Sequence, residues 1–417
     1  MDVGADLDHL FRREAGKMTS ALTRLFGWHR LALVEDVVHD ALCRALEQWK
    51  FGNIPENPSA WLMSAAKNRA IDLLRRERTA RDAAPDLTHA LSTEWTLVPT
   101  VEEIFRDDVV RDEMLRMMFA CCHAGLPEET HVALILNLLS GFGVHEIASA
   151  FFVSPAAMEK RLQRGKQVLS QSGALAEVTA ERVEAHLPSV HGALYLLFNE
   201  GYHGSHAIET VRVELCAEAI RLTMLLVEHE ATAVPTTHAL LGLMCLVAAR
   251  MPGRVDAAGD LVSLAEQDRT RWDSRLIERG LAALDASAAG DELTPFHVEA
   301  AIASIHTTAE RHRDTDFARI VGLYDVLMKL RPSPVVALSR AIALGEVEGP
   351  ERALQALESI DGRERLDAYP FYAAAMGEQL LRANQRERAR ERFRQALAAA
   401  RSPSEIRFLE ARITACT

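Results

Sequence analysis

The chain is poor in aromatic residues, at 6% of 417, and it carries no surplus of positive charge. Its 47 Lys and Arg against 59 Asp and Glu give a formal net charge of −12, so the surface as a whole is no binder of nucleic acid, and any such contact must come from local basic patches. The six cysteines (Cys43, Cys121, Cys122, Cys216, Cys245, Cys416) form no C-x-x-C pair and follow no secretory signal, which indicates reduced thiols in a cytoplasmic protein. Cys121-Cys122-His123 does not read as a metal set, because adjacent side chains on a helix diverge by about 100°. The longest apolar run, residues 239–249, is eleven residues and cannot span a bilayer, so no membrane contact is expected. No G-x-x-x-x-G-K-[ST], G-x-S-x-G or H-E-x-x-H occurs. His203, His206, His229, His238, His306 and His312 are irregularly spaced and read as surface or core histidines. The expectation is therefore no catalytic residue, no cofactor and no metal.

What is present is helix. Apolar content of 48%, with abundant Ala, Leu, Glu and Arg, supports an all-α fold of several domains. The most informative stretch is GVHEIASAFFVSPAAMEKRLQRGKQVL, residues 143–169. Residues 146–151 give a short helix with Ile147, Ala148 and Phe151 on one face. Ser154 is placed as N-cap and Pro155 at the first helical position of a second helix. That helix points Met158, Leu162 and Leu169 inward and Lys160, Arg161, Gln163, Arg164 and Lys166 outward. Four basic residues and one acid, Glu159, give it a net charge of +3. A helix-turn-helix of this kind presents its second helix to a DNA major groove; the plainer reading is a helical hairpin with a solvated basic face.

From the N-terminus, residues 6–26 are amphipathic, with Leu7, Leu10, Phe11 and Ala15 on one stripe. Residues 33–49 put Val34, Val37, Val38, Ala41, Leu42, Ala45 and Leu46 inward and Glu35, Asp36, His39, Asp40 and Arg44 outward. Residues 51–58, with two prolines and a glycine, form a loop. Ser59 is then expected to cap a helix over 60–81. Between 61 and 81 it carries Lys67, Arg69, Arg75, Arg76, Arg78 and Arg81 against Asp72 and Glu77, a charge of +4.

The strings VEDVVHDALCRAL (34–46) and NPSAWLMSAAKNRAIDLLRR (57–76) resemble region 2 (σ2) of bacterial extracytoplasmic-function sigma factors, and the helix-turn-helix then resembles region 4 (σ4). The resemblance implies that core RNA polymerase is the partner, through the β′ clamp helices and the β flap, together with promoter DNA. It implies polymerase contacts at Asp36, Val37, His39 and Asp40 on an exposed edge. It implies −10 contacts at Asn53, Trp61, Lys67, Asn68, Arg69, Arg75 and Arg76. At the −35 element it implies base edges for Lys160, Gln163 and Arg164 and phosphates for Arg161 and Lys166. Glu159 departs from the usual basic or neutral residue and bears on which −35 sequence is read. The acidic, proline-bearing segment 83–109 reads as a linker.

Beyond Gly173, where a simple factor of this class ends, helical patterns continue over 194–202, 215–230, 237–251 and 261–269. Further on, Ile320/Tyr324/Leu327, Ala353/Leu357/Ile360 and Ala389/Phe393/Ala396 share tetratricopeptide (TPR) offsets, starting 33 and 36 residues apart, with Gly377 twelve before Ala389. FNEGY (198–202), DRTRWD (268–273) and PSPVVALSRA (332–341) are similar to segments of a sigma-factor subgroup with a C-terminal TPR-like extension. DRTRWD reads first as an interhelical ion-pair and packing network, second as a ligand or partner site. The expected organisation is σ2 at 1–82, linker at 83–109, σ4 at 110–173, a helical extension at 174–290 and TPR-like repeats at 291–417. The extension is expected to contact the sigma domains and set their activity. A helix-turn-helix regulator with a TPR-like sensor domain and an enzyme housed in the extension are the alternative expectations.

Overall fold

A computed structural model describes residues 3–49, 54–82, 107–151, 153–171, 180–203, 213–256, 260–366, 369–400 and 403–417. Among them the fold is all-α: helices joined by turns, with one isolated bridge between Val255 and Leu261. The chain divides into two compact units, residues 1–197 and 198–417. Linker residues 83–106 and Asn53 lie outside the described residues.

The first unit begins with α1 (Val3–Phe26), α2 (Leu31–Trp49) and α3 (Pro58–Asp82), whose apolar stripes close one core. Met18, Leu22, Val34, Val38, Ala41, Leu62, Ala66 and Ala70 fill it, and Trp49 sits between the rings of Phe11 and Trp61, at 5.6 and 5.3 Å. Two expectations change here. Asn57, not Ser59, caps α3: its Oδ1 accepts from Ala60 N at 3.0 Å, which leaves Pro58 at the first helical position, where no amide is needed. Ser59 Oγ turns instead to the buried Glu14, at 3.1 Å. Leu46 is 52% exposed, because the core contacts of α2 are completed by Ala45 and Trp49 on the adjoining stripe.

Four more helices follow, α4 (Asp107–Ala120), α5 (Glu128–Leu139), α6 (Val144–Ala150) and α7 (Pro155–Gln171). They do not stand apart from the first three. Helix α1 packs on both α4 and α5, and the turn Trp28–Arg30 packs on α7. At Gly16 the backbones of α1 and α5 come so close that a Cβ would lie 1.9 Å from Leu139 O. Only glycine permits that crossing.

Helix α8 (Ala180–His203) leads into the second unit. There α9 (Val213–Glu228) and α11 (Ser274–Ala286) pack on α10 (Pro235–Ala248), whose stretch from Ala239 to Leu246 is apolar on every side and buried. The rest is a run of paired helices: α12 (Pro295–Thr308), α13 (Phe317–Leu330), α14 (Pro334–Glu348), α15 (Pro350–Glu358), α16 (Pro370–Arg382), α17 (Arg386–Ala399) and α18 (Pro403–Ala415). Small residues bring successive helices together. A Cβ on Gly345 would lie 2.8 Å from that of Ala353, and one on Gly377 would lie 2.8 Å from the Phe393 ring.

Segment 261–269 is not the expected helix but a turn. Nine residues give little helical cooperativity, and Asp256 instead clasps Asp260 N through Oδ1 at 2.9 Å. The following DRTRWD segment is not an ion-pair network either. Asp268 and Asp273 are caps, accepting from Thr270 N and from Arg275 N and Leu276 N. Arg269 and Arg271 donate to backbone carbonyls.

Candidate nucleic-acid interface

The helix-turn-helix is built as its caps dictate. Phe151 N and Val153 N donate to Ile147 O and Ala148 O, closing α6, and Ser154 Oγ accepts from Ala157 N at 3.3 Å to open α7. Met158, Leu162, Gly165 and Leu169 face inward, where Gly165 packs within about one methyl group of Leu134 and Thr130. The opposite face carries Lys160, Gln163 and Arg164, all exposed and unpaired among the described residues. At spacings of three and four residues they share one surface, and a row of free donors of that reach suits the acceptor-rich edges of a major groove. Glu159 is exposed beside them. Arg161 is half-buried, 3.6 Å from Glu129 and 5.8 Å from the Phe151 ring centroid. Lys166 Nζ lies 2.5 Å from Glu35 Oε1, so this cation is already paired.

On α3 the expected −10 residues differ among themselves. Asn68 and Arg76 are exposed, Lys67 is half-buried, and Arg69 Nε sits 2.9 Å from Asp40 Oδ2, in ion-pair range without hydrogen-bond alignment. Trp61 is half-buried, edge-on to Trp49. Arg75 lies on the helix, its side chain outside the described residues. The pair Arg69–Asp40 joins a residue expected to bind DNA to one expected to bind polymerase.

On α2, Asp36 and His39 are exposed, and His39 Nε2 is 3.4 Å from Cys43 Sγ. Val37 does not belong to that edge. It is 1% exposed, packed with Val34 and Ala41, because its stripe is the core stripe of the helix. The apolar residue that the edge does present is Leu46, seven after His39 and so almost directly above it. The i, i+7 spacing from His39 was available as the signal.

Glu146, which accepts from Gly143 N at 2.9 Å, is also held by Arg12 Nη1 at 2.9 and 3.0 Å. Buried Glu113 is paired with Arg24. These pairs and Lys166–Glu35 tie α4, α6 and α7 to α1 and α2.

No group of His, Cys, Asp or Glu among the described residues has the arrangement of a metal site. Burial pushes the thiols of Cys216 and Cys245 up to about 12 and that of Cys121 well above its ordinary value, so none is a ready thiolate. His229 is exposed and His238 half-buried, His206 and the side chain of His203 lie outside the described residues, and no helix among the described residues is long and apolar enough to cross a membrane.

Comparison with known proteins agrees with this geometry. Residues 10–80 match Sigma-70 region 2, residues 116–169 match Sigma-70 region 4, and residues 186–288 match a family of unknown function, DUF6596. The chain is 37% identical over 391 residues to Uncharacterized protein R00370 of Rhizobium meliloti (strain 1021), covering 93% of this chain and 90% of that protein. No solved structure matches it significantly.

Proposed function

We propose, from the premise that the chain belongs to the same family as Rhizobium meliloti R00370 and carries Sigma-70 regions 2 and 4 ahead of its DUF6596 segment, that it is an alternative sigma factor of the extracytoplasmic-function type. The order of the two regions in one chain carries the reading. Sigma regions 2 and 4 make it a protein of transcription initiation rather than an enzyme, with core RNA polymerase and promoter DNA as partners.

In finer detail, α2 docks on the β′ clamp helices through Asp36, His39 and Asp40, with Leu46 in place of Val37 as apolar anchor. Mixed acids around one buried apolar group suit such an interface. The N-terminal part of α3 and the loop before it take the −10 strand, and Lys67, Asn68, Arg69 and Arg76 supply phosphate and base-edge donors. Helix α7 takes the −35 element, with Lys160, Gln163 and Arg164 on base edges and Arg161 and Lys166 on phosphates, beside the β flap. The helical extension, with TPR-like repeats at 291–417, sets activity. Its close helix approaches at glycines, Gly345 against Ala353 and Gly377 against Phe393, support stacked helix pairs.

Elements at −10 and −35 are about 25 base pairs apart, roughly 85 Å at 3.4 Å per pair. A chain whose α7 is paired with α2 cannot serve both, so promoter binding requires that pairing to part.

Run-off transcription with core polymerase and a mapped promoter tests the reading; no promoter-specific transcript from the full chain would refute it. Within it, Arg164→Ala should cost about 1–3 kcal/mol of DNA binding and relax preference at one −35 position. Unchanged selectivity would remove Arg164 from the base edge.

A further inference from the structure

The turn after α10 and the DRTRWD segment hold a cation that has nothing to pair with among the described residues. Arg250 is partly buried, its Nε is shielded from solvent without a hydrogen-bond partner, and no carboxylate meets its guanidinium among the described residues. Arg269 stands within its electrostatic range and is committed to neutral acceptors: Nη1 donates to the carbonyls of His306 and Ala309, each at 2.7 Å, and Nη2 to Thr315 Oγ1 at 3.3 Å. Its guanidinium carbon lies 4.8 Å from the Trp272 ring centroid. Trp272 Nε1 is a second buried donor with no partner, and Gly253 is what admits the indole, since a Cβ there would lie 2.9 Å from Nε1. His306 Nδ1 is a third buried polar atom left unpaired; burial first, then the Arg250 and Arg269 charges, hold this histidine neutral, down to about 3.

The acids of the neighbourhood are engaged elsewhere. Glu299 is 2.5 Å from Arg331, Asp314 is 2.8 Å from Arg311, and Asp268 accepts from Thr270 Oγ1 at 2.7 Å. Removing a guanidinium from water without a counter-charge destabilises a fold, and an orphaned buried donor adds to that cost. Three unpartnered polar groups, from the turn after α10, the DRTRWD segment and α12, leave a locally positive, under-satisfied site. A planar guanidinium fork matches carboxylate and phosphate oxygens.

We propose that Arg250, Arg269 and Trp272 form a binding site for a small oxyanion, a carboxylate or phosphate group carried by a low-molecular-weight ligand that pairs with Arg250. Arg269 supplies field, since its Nη1 donors are both taken by carbonyls and Nη2 donates to Thr315, and Trp272 Nε1 supplies the second donor. The site lies wholly within the second unit and does not depend on the sigma-factor reading.

The test is a titration of the full chain with inorganic phosphate and, separately, acetate, against chloride at matched ionic strength, following Tm and tryptophan emission. A saturable rise in Tm beyond that in chloride is expected in at least one arm, and the arm that responds names the group. In Arg250→Met the half-saturating concentration should rise about tenfold or more, as loss of a charged hydrogen-bond donor implies. In chloride alone that variant should melt no lower than the parent, because an unpaired charge has been removed, which a purely structural arginine would not allow. Arg250→Gln serves if the Met variant does not fold. Equal responses to phosphate, acetate and chloride would overturn the proposal. So would retained anion binding in either variant, or a clear drop in the variants' Tm in chloride.

Discussion

In the first unit, ion pairs join positions far apart in the chain: Arg12 with Glu146, Lys166 with Glu35, Arg24 with Glu113. In the second, most close over one helix or one helical pair, as Arg311–Asp314, Arg340–Asp325, Arg331–Glu299 and Arg382–Glu346 do; Arg407–Asp260 and Arg412–Glu266 are the long-range exceptions. Stacked helices of the second kind are held by nearest neighbours, so damage stays local. A unit closed by contacts between its two ends fails at one crossing. That contrast predicts where substitutions should be felt.

The largest effect belongs to Phe393, 1% exposed and set against Gly377. Phe393→Ala should cost about 3–5 kcal/mol, with amide hydrogen exchange accelerated in α16, α17 and α18 and little changed in α12. Uniform acceleration across the second unit would break the nearest-neighbour half of the comparison. Gly16→Ala comes next. The added Cβ meets backbone rather than a movable side chain, so α1 and α5 must separate, at a cost of roughly 1–3 kcal/mol for such overpacking. Exchange should rise in α4, α5 and α7 together; a change confined to α1 would show that the crossing does not hold the unit.

Acid should then distinguish the units more gently. Burial lowers His191 in the first unit to about 4 and, with nearby arginines, His306 in the second to about 3. Both are neutral when folded, while an unfolded histidine takes up its proton below about 6.5. Each therefore contributes stability present above about 6.5, lost as pH falls towards those lower values. His306→Gln should flatten the pH dependence of hydrogen exchange in α12 and α13 between about pH 6.5 and pH 4, leaving α8 unchanged. An undiminished slope would mean that other groups carry the acid sensitivity.

Much of this was legible in the sequence because it is local. The Ser154-Pro155 cap, the inward Met158, Leu162 and Leu169, and the outward Lys160, Gln163 and Arg164 follow from spacing alone, and they appear as expected. The Ala389/Phe393/Ala396 stripe was equally readable. Leu46 was misassigned because a helix stripe is broad, and a shift of one residue, about 100°, separates core from surface; the same stripe placed Val37 inward, as found, and only the resemblance set it on the exposed edge. Asn57 outcompeted Ser59 because the proline at 58 fixes the helix start one residue after it. What no local pattern could show is partner choice across sequence. Glu35 looks like any outward acid until the fold places Lys166 2.5 Å away, and Arg250 looks like any helix-end arginine until its shielded Nε proves to have no hydrogen-bond partner among the described residues.

The Lys166–Glu35 pair gives the smallest and most pointed prediction. Both side chains are partly exposed, 26% and 39%, so the pair contributes about 0.2–1 kcal/mol and less at high salt. Glu35→Gln should therefore barely change stability. If α7 must leave α2 to reach the −35 element, however, Glu35 competes with DNA phosphate for the same ammonium. The variant should bind promoter DNA more tightly at low salt, by up to about fivefold for 1 kcal/mol, with the gain fading as added salt screens the pair. Lys166→Ala, which removes the cation from both contacts, should instead weaken binding to all promoters alike and shallow the salt dependence. Fluorescence anisotropy with a labelled −35 duplex across a salt series measures both. Identical low-salt affinities for the parent and Glu35→Gln would show that the pairing of α7 with α2 does not oppose DNA binding.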